Sequence, residues 1–166
     1  SNAIYDAAYK IVAALHNILL TLSRTWFPFL ARNKDKHYIY AFITISISLI
    51  STILLSLMSE FIISIIYPTE YKESIEVLRV LAFMPLGLAF VNVYGINFLI
   101  IHNKQSLMRT ITLSTSIIGF LVSIVLVKYF SYIGVPYAIV GTTWVCGLFM
   151  YISSKFVTKR NSKCSF

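Results

Sequence analysis

The sequence predicts an all-α, polytopic membrane protein with about five transmembrane helices, and three observations carry that prediction. First, the 166 residues are 58% hydrophobic and only 12% charged, against about 25% charged in a soluble domain. Second, the apolar residues gather in long runs at 4–27, 38–59, 75–101, 107–129 and 135–157, each at or above the roughly 20 residues a helix needs to cross a bilayer. Third, the charges collect mainly in the short gaps between these runs and at the C-terminus. With a mean hydropathy of +0.79, six acidic side chains cannot keep this much apolar surface in water. We read one membrane domain over 1–166, with no soluble domain and no long linker.

The first run is the unusual one. Asp6, Lys10, Asn17 and Arg24 are four, seven and seven residues apart, and Thr21 follows Asn17 by four. At 3.6 residues per turn these five share a stripe about 60° wide. The rest of the run is largely Ile, Val, Ala, Leu, Phe and Trp. A charge at the centre of a spanning helix costs roughly 2.5–3.5 kcal/mol. The stripe is therefore expected to face protein or a watery cavity, which the other four helices could wall. Pro28 is expected to kink or end this helix.

The second run, 38–59, has no charge. Its Ile45-Ser46-Ile47-Ser48 piece alternates like a strand, but a barrel strand needs only about 9–11 residues and this run is far longer. The apolar pattern resumes after Glu60 and reaches Tyr67, so the helix is expected to continue beyond the bilayer. The third run opens with Glu76 and Arg79, three apart and able to pair. It is interrupted by Pro85 and Gly87 and carries Asn92 and Asn97 deeper in; such amides usually join helices. The fourth holds Ser114, Thr115, Ser116, Gly119 and Ser123, and the fifth Gly141 and Gly147. Small residues there allow close helix packing.

Orientation follows from the gaps. Arg32, Lys34 and Lys36 fill the first, Glu70, Glu73 and Glu76 lie in or beside the second, Lys104 and Arg109 mark the third, and the fourth has only Lys128. Lys159, Arg160 and Lys163 make the tail basic. The positive-inside rule places gaps one and three and the C-terminus in the cytoplasm and the N-terminus outside. The net charge of +8 is thus divided among membrane flanks rather than gathered in one patch, and nucleic acid is not an expected partner.

Chemistry-bearing motifs are absent from the sequence. There is no Gly-rich phosphate loop, no His-Glu-x-x-His, no Gly-x-Ser-x-Gly and no paired-cysteine motif. Cys146 sits in an apolar run and Cys164 in the tail. His16, His37 and His102 are read as lying far apart, which argues against a metal site. No enzyme activity and no cofactor are expected.

Three stretches resemble one family. Ser1-Asn2-Ala3-Ile4-Tyr5-Asp6-Ala7-Ala8-Tyr9-Lys10 leads an apolar helix ending in Trp26-Phe27-Pro28-Phe29-Leu30-Ala31. Ile65-Ile66-Tyr67-Pro68-Thr69-Glu70-Tyr71-Lys72-Glu73-Ser74 precedes Val77-Leu78-Arg79-Val80-Leu81, and Tyr132-Ile133-Gly134-Val135-Pro136-Tyr137-Ala138 opens the last run. In order and spacing these resemble the polysaccharide flippases, the O-antigen and related lipid-linked oligosaccharide transporters of the MATE-like superfamily. The family usually has a second Gly near Pro136 or Tyr137, and this chain does not. The family's architecture is about twelve or more helices in two pseudo-symmetric halves. The resemblance therefore implies that this chain is a MATE-like half bundle, the last five helices of a longer transporter.

The resemblance further implies a function: moving undecaprenyl-pyrophosphate-linked oligosaccharide across the bacterial inner (cytoplasmic) membrane for lipopolysaccharide or other surface polysaccharide. The expected partners are that lipid-linked oligosaccharide, membrane lipid, and a polysaccharide polymerase or ligase. The cavity-lining candidates are Asp6, Lys10, Asn17, Thr21 and Arg24. Arg24, nearer the cytoplasm, is expected to help capture the pyrophosphate, Lys10 to meet it further out, and Asn17 and Thr21 to contact sugar or water between. Two alternatives stand beside this. One is an ion-coupled drug exporter of the same superfamily, with Asp6 as a cation site. The other is a non-transporting scaffold beside a polysaccharide synthase, whose polar stripe binds a partner helix.

Overall fold

Apolar runs bounded by polar gaps become helices, and the computed structural model is all-α. It describes residues 2–67, 73–130 and 133–163, with backbone alone at 2–4, 34 and 160–163. Ser1, residues 68–72 of the acidic second gap with Glu70 among them, Tyr132 and Cys164 lie outside the described residues. The helices are α1 (Asn2–Arg32), α2 (His37–Leu57), α3 (Ser59–Ile66), α4 (Ser74–Leu81), α5 (Met84–Phe90), a π-helical stretch (Val91–Leu99), α6 (Gln105–Phe130) and α7 (Gly134–Lys163). A single 3-10 turn (Lys34–Lys36) joins α1 to α2.

Among the described residues four segments are long and apolar enough to cross a membrane: His37–Leu57, Ser74–Leu99, Gln105–Phe130 and Gly134–Lys159. The fifth expected span, α1, is not one of them. It has the length, but its polar stripe dilutes its apolar character. Pro28 does not end α1, which continues through it to Arg32. Proline removes one helical N–H and so deprives the Arg24 carbonyl of its usual donor. The turn beyond is anchored instead by Leu30, fully buried against Tyr40, Ala41 and Val93.

The second run breaks at Met58 between α2 and α3. Ser59 Oγ donates to the Ser56 carbonyl at 3.1 Å, so a side chain occupies an acceptor the helix would use for its own N–H. The third run is divided too. α4 ends at Leu81, α5 starts at Met84 with Pro85 in its first turn, and the π-helical stretch follows. Trp144 of α7 donates its indole N–H to the Phe83 carbonyl at 3.1 Å, beside that break. After Leu99 the chain leaves the helix through Asn103, whose φ of 57° is the left-handed conformation that caps helix ends.

One core joins α1, α3 and α4: Ala8, Val12, Ile63, Val77, Leu78 and Leu81 are all essentially inaccessible. Of the glycines expected to permit close packing, Gly119 and Gly147 do so, whereas Gly141 faces open space with nothing within 4 Å of a would-be side chain. A side chain at Gly147 would meet Phe90 Cβ at 2.9 Å and the Gly87 carbonyl at 3.0 Å, so α7 lies directly on α5. A side chain at Gly119 would collide with Thr142, which brings α6 against α7.

The two basic gaps share one end of the bundle. His37 beside the first and His102 beside the third flank the same ring, Phe98, with centroids at 5.1 and 4.2 Å. The expectation that these histidines lie far apart is therefore corrected: sequence separation hid two loops folded to one end. Tyr94 links this end to Tyr151 of α7 at 4.9 Å, and Lys155 lies over the Tyr151 ring.

Candidate functional site

The polar stripe of α1 is intact and faces outward. Asp6, Lys10, Asn17, Thr21 and Arg24 are all exposed. Helix geometry puts the stripe nearly opposite the buried line Ala8, Val12, Leu19, Ser23 and Leu30. The other helices pack on that buried side and do not wall a cavity around the stripe, contrary to expectation. The reason is the continuous apolar line itself, which competes for the core and leaves the polar face outside.

Two residues of the stripe and one neighbour help to line a groove. Asn17, Thr21 and Thr25, with Ile18, Leu19, Leu22 and Ile47 of α2, line an open hollow of about 560 Å³. Thr21 Oγ1 donates to the Asn17 carbonyl at 2.8 Å, and Thr25 Oγ1 to the Thr21 carbonyl at 2.9 Å. Their protons are thus used within the helix, and their oxygens remain acceptors toward the groove. Lys10 and Arg24 stand fourteen residues apart, about 21 Å along the axis. Among the described residues Asp6 and Lys10 form no ion pair with each other, so neither charge is neutralised by the other. The structure brings Asn17 and Thr21 into one groove, with Arg24 one turn beyond and Asp6 and Lys10 two or more turns away on the same face. Thr25 was missed in the sequence, although it follows Thr21 by one turn.

A second polar group lies inside. Asn97, fully buried in the π-helical stretch, donates from Nδ2 to Ser23 Oγ of α1 at 2.7 Å and Tyr40 Oη of α2 at 2.9 Å. The Asn92 carbonyl lies 3.1 Å from the same nitrogen. Asn97 thus joins three elements, the helix-joining part expected of it. His37 Nε2 and the Val93 carbonyl add a further link between α2 and this stretch at 3.0 Å. Sequence reading missed Ser23 and Tyr40, which carry no charge to mark them.

Arg79 does not pair with Glu76. Its Nε donates to Ser59 Oγ at 3.2 Å, tying α4 to α3. The Ser59 hydroxyl is fixed at the α2–α3 break, whereas Glu76 is exposed to solvent.

Comparisons of the chain with protein-family models, with curated proteins and with solved structures give no match.

Proposed function

We propose that this chain forms the second-half bundle of a flippase for lipid-linked oligosaccharide, with the exposed face of α1 lining the path of the polar head. One observation carries the reading: α1 turns its charges outward while the neighbouring helix α2 turns Phe42, Ile50, Ile53 and Leu54 outward. A face suited to lipid and a face unsuited to it sit side by side on one bundle. In a bilayer the second needs polar surroundings, which facing helices of a transporter would supply.

The chemistry fits a pyrophosphate-linked sugar. Arg24 offers forked donors suited to phosphate oxygens, and Lys10 a compact point charge. Their separation excludes joint binding of one pyrophosphate and suits successive contacts as the head moves outward. Asn17, Thr21 and Thr25, between and beside them, present an amide and hydroxyl oxygens that can exchange hydrogen bonds with sugar hydroxyls. With the basic end of the bundle toward the cytoplasm, Arg24 is the first of the two cations met from inside.

The test is Lys10→Ala in the full-length protein within its native membrane. Surface polysaccharide should fall while protein level stays constant. Unchanged export would remove Lys10 from the path. Co-purification with a polysaccharide synthase, without any lipid flipping, would replace the transport reading by the scaffold.

A further inference from the structure

We infer that the inward face of α2 is a water-binding file, in which water molecules in series link the hydroxyls of Thr44, Ser48 and Thr52. These three lie one turn apart and are 1%, 0% and 3% exposed. Among the described residues none of their hydroxyls has a hydrogen-bond partner. A buried hydroxyl without a partner is costly and needs an explanation.

The usual escape is not taken here. Thr21, Thr25, Thr110, Thr112, Thr115, Thr142, Thr143 and Thr158 all donate to the carbonyl four residues earlier. Thr44 and Thr52 alone among the described helical threonines turn away from that acceptor. Their hydroxyls are free for something else, on a face packed against α4, α5 and the π-helical stretch.

A second element points the same way. The amide of Asn97, held on Tyr40 one turn before Thr44, leaves its Oδ1 unpartnered and fully buried. Asn92, 3% exposed in the same stretch, leaves its Nδ2 unpartnered. Donors and acceptors of both kinds are therefore available, with no charge among them.

Spacing selects water over a metal cation. Hydroxyls one turn apart are separated by about 6 Å along the axis. A water making two bonds of about 2.8 Å at its roughly tetrahedral angle spans about 4.5 Å, so two waters in series reach from one hydroxyl to the next. A hard cation such as calcium needs six or more oxygens converging within roughly 2.3–2.6 Å, which a line of hydroxyls cannot provide.

The test is water-edited solid-state NMR on the full chain in bilayers with ¹³C-labelled threonine. Thr44→Val and Thr52→Val supply the assignments. Polarisation from water should reach Thr44 and Thr52 several-fold faster than Thr115, which is buried but spends its hydroxyl on the Ile111 carbonyl. Build-up no faster than at Thr115 overturns the file. Thermal unfolding gives an independent reading of its sign. Ser48→Ala should lower the midpoint if the hydroxyl is bridged by water; a raised midpoint, expected when an unpartnered hydroxyl is removed from a dry core, also overturns it.

Discussion

α1 and α2 are consecutive in the chain and dressed in opposite ways. α1 buries Ala8, Val12, Leu19 and Leu30 and exposes Asp6, Lys10, Asn17 and Arg24. α2 buries Tyr40, Thr44, Ser48 and Thr52 and exposes Phe42, Ile50, Ile53 and Leu54. The first is the pattern of a helix on the surface of a water-soluble domain. The second is the pattern of a membrane helix, where hydroxyls turn into the bundle and hydrocarbon faces hydrocarbon. Their difference teaches that this bundle has two kinds of outer surface, and that only one of them suits lipid.

A charge moved between the two faces gives the largest expected effect. Ile50→Arg on α2 should cost roughly 2.5–3.5 kcal/mol near the centre of a span. Membrane-inserted protein should fall sharply. Asn17→Arg on α1 should leave the inserted amount close to that of the parent, because this face already carries cations. Fractionation of both variants reads the contrast. Equal losses would mean that lipid covers both helices, and the comparison would fail.

Next in size is the joint between the two helices. Asn97→Leu removes the bonds to Ser23 and Tyr40 and leaves both hydroxyls buried without that partner. The expected loss is about 1–2 kcal/mol, since interhelical hydrogen bonds in membranes are individually modest. Thermal unfolding in bilayers measures it. Tyr40→Phe should cost less, because Asn97 keeps Ser23.

The helical composition was legible in the sequence because runs of apolar residues bounded by charge admit few other folds. The stripe on α1 was legible because Asp6, Lys10 and Arg24 stand out against an apolar background. Which way it faced was not, because that depends on a competing line of small and aliphatic residues, Ala8 to Leu30, whose signal is weaker residue by residue. The subdivision of the third run was legible at Pro85. The π-helical stretch was not, since Asn92 to Asn97 has no residue that forbids an ordinary helix; its geometry accompanies the bonds that Asn97 makes to other elements. Tyr40, Thr44, Ser48 and Thr52 follow one another at four-residue steps and were readable as a line. They were passed over because hydroxyls in an apolar run seldom signal a face by themselves.

The smallest expected effect concerns stability and is the sharpest for function. Lys10→Leu combined with Arg24→Leu removes two exposed charges that make no ion pair among the described residues. Surface substitutions of this kind usually change stability by less than about 0.5 kcal/mol. The unfolding midpoint should therefore barely move, and insertion should be at least as efficient because α1 becomes more apolar. If the outward face of α1 lines a transport path, export of surface polysaccharide should nevertheless be lost in the double variant and reduced in each single one. Retained export with an unchanged midpoint would leave the face polar for another reason, contact with a partner helix, and α1 would then differ from α2 in its neighbour rather than in its task.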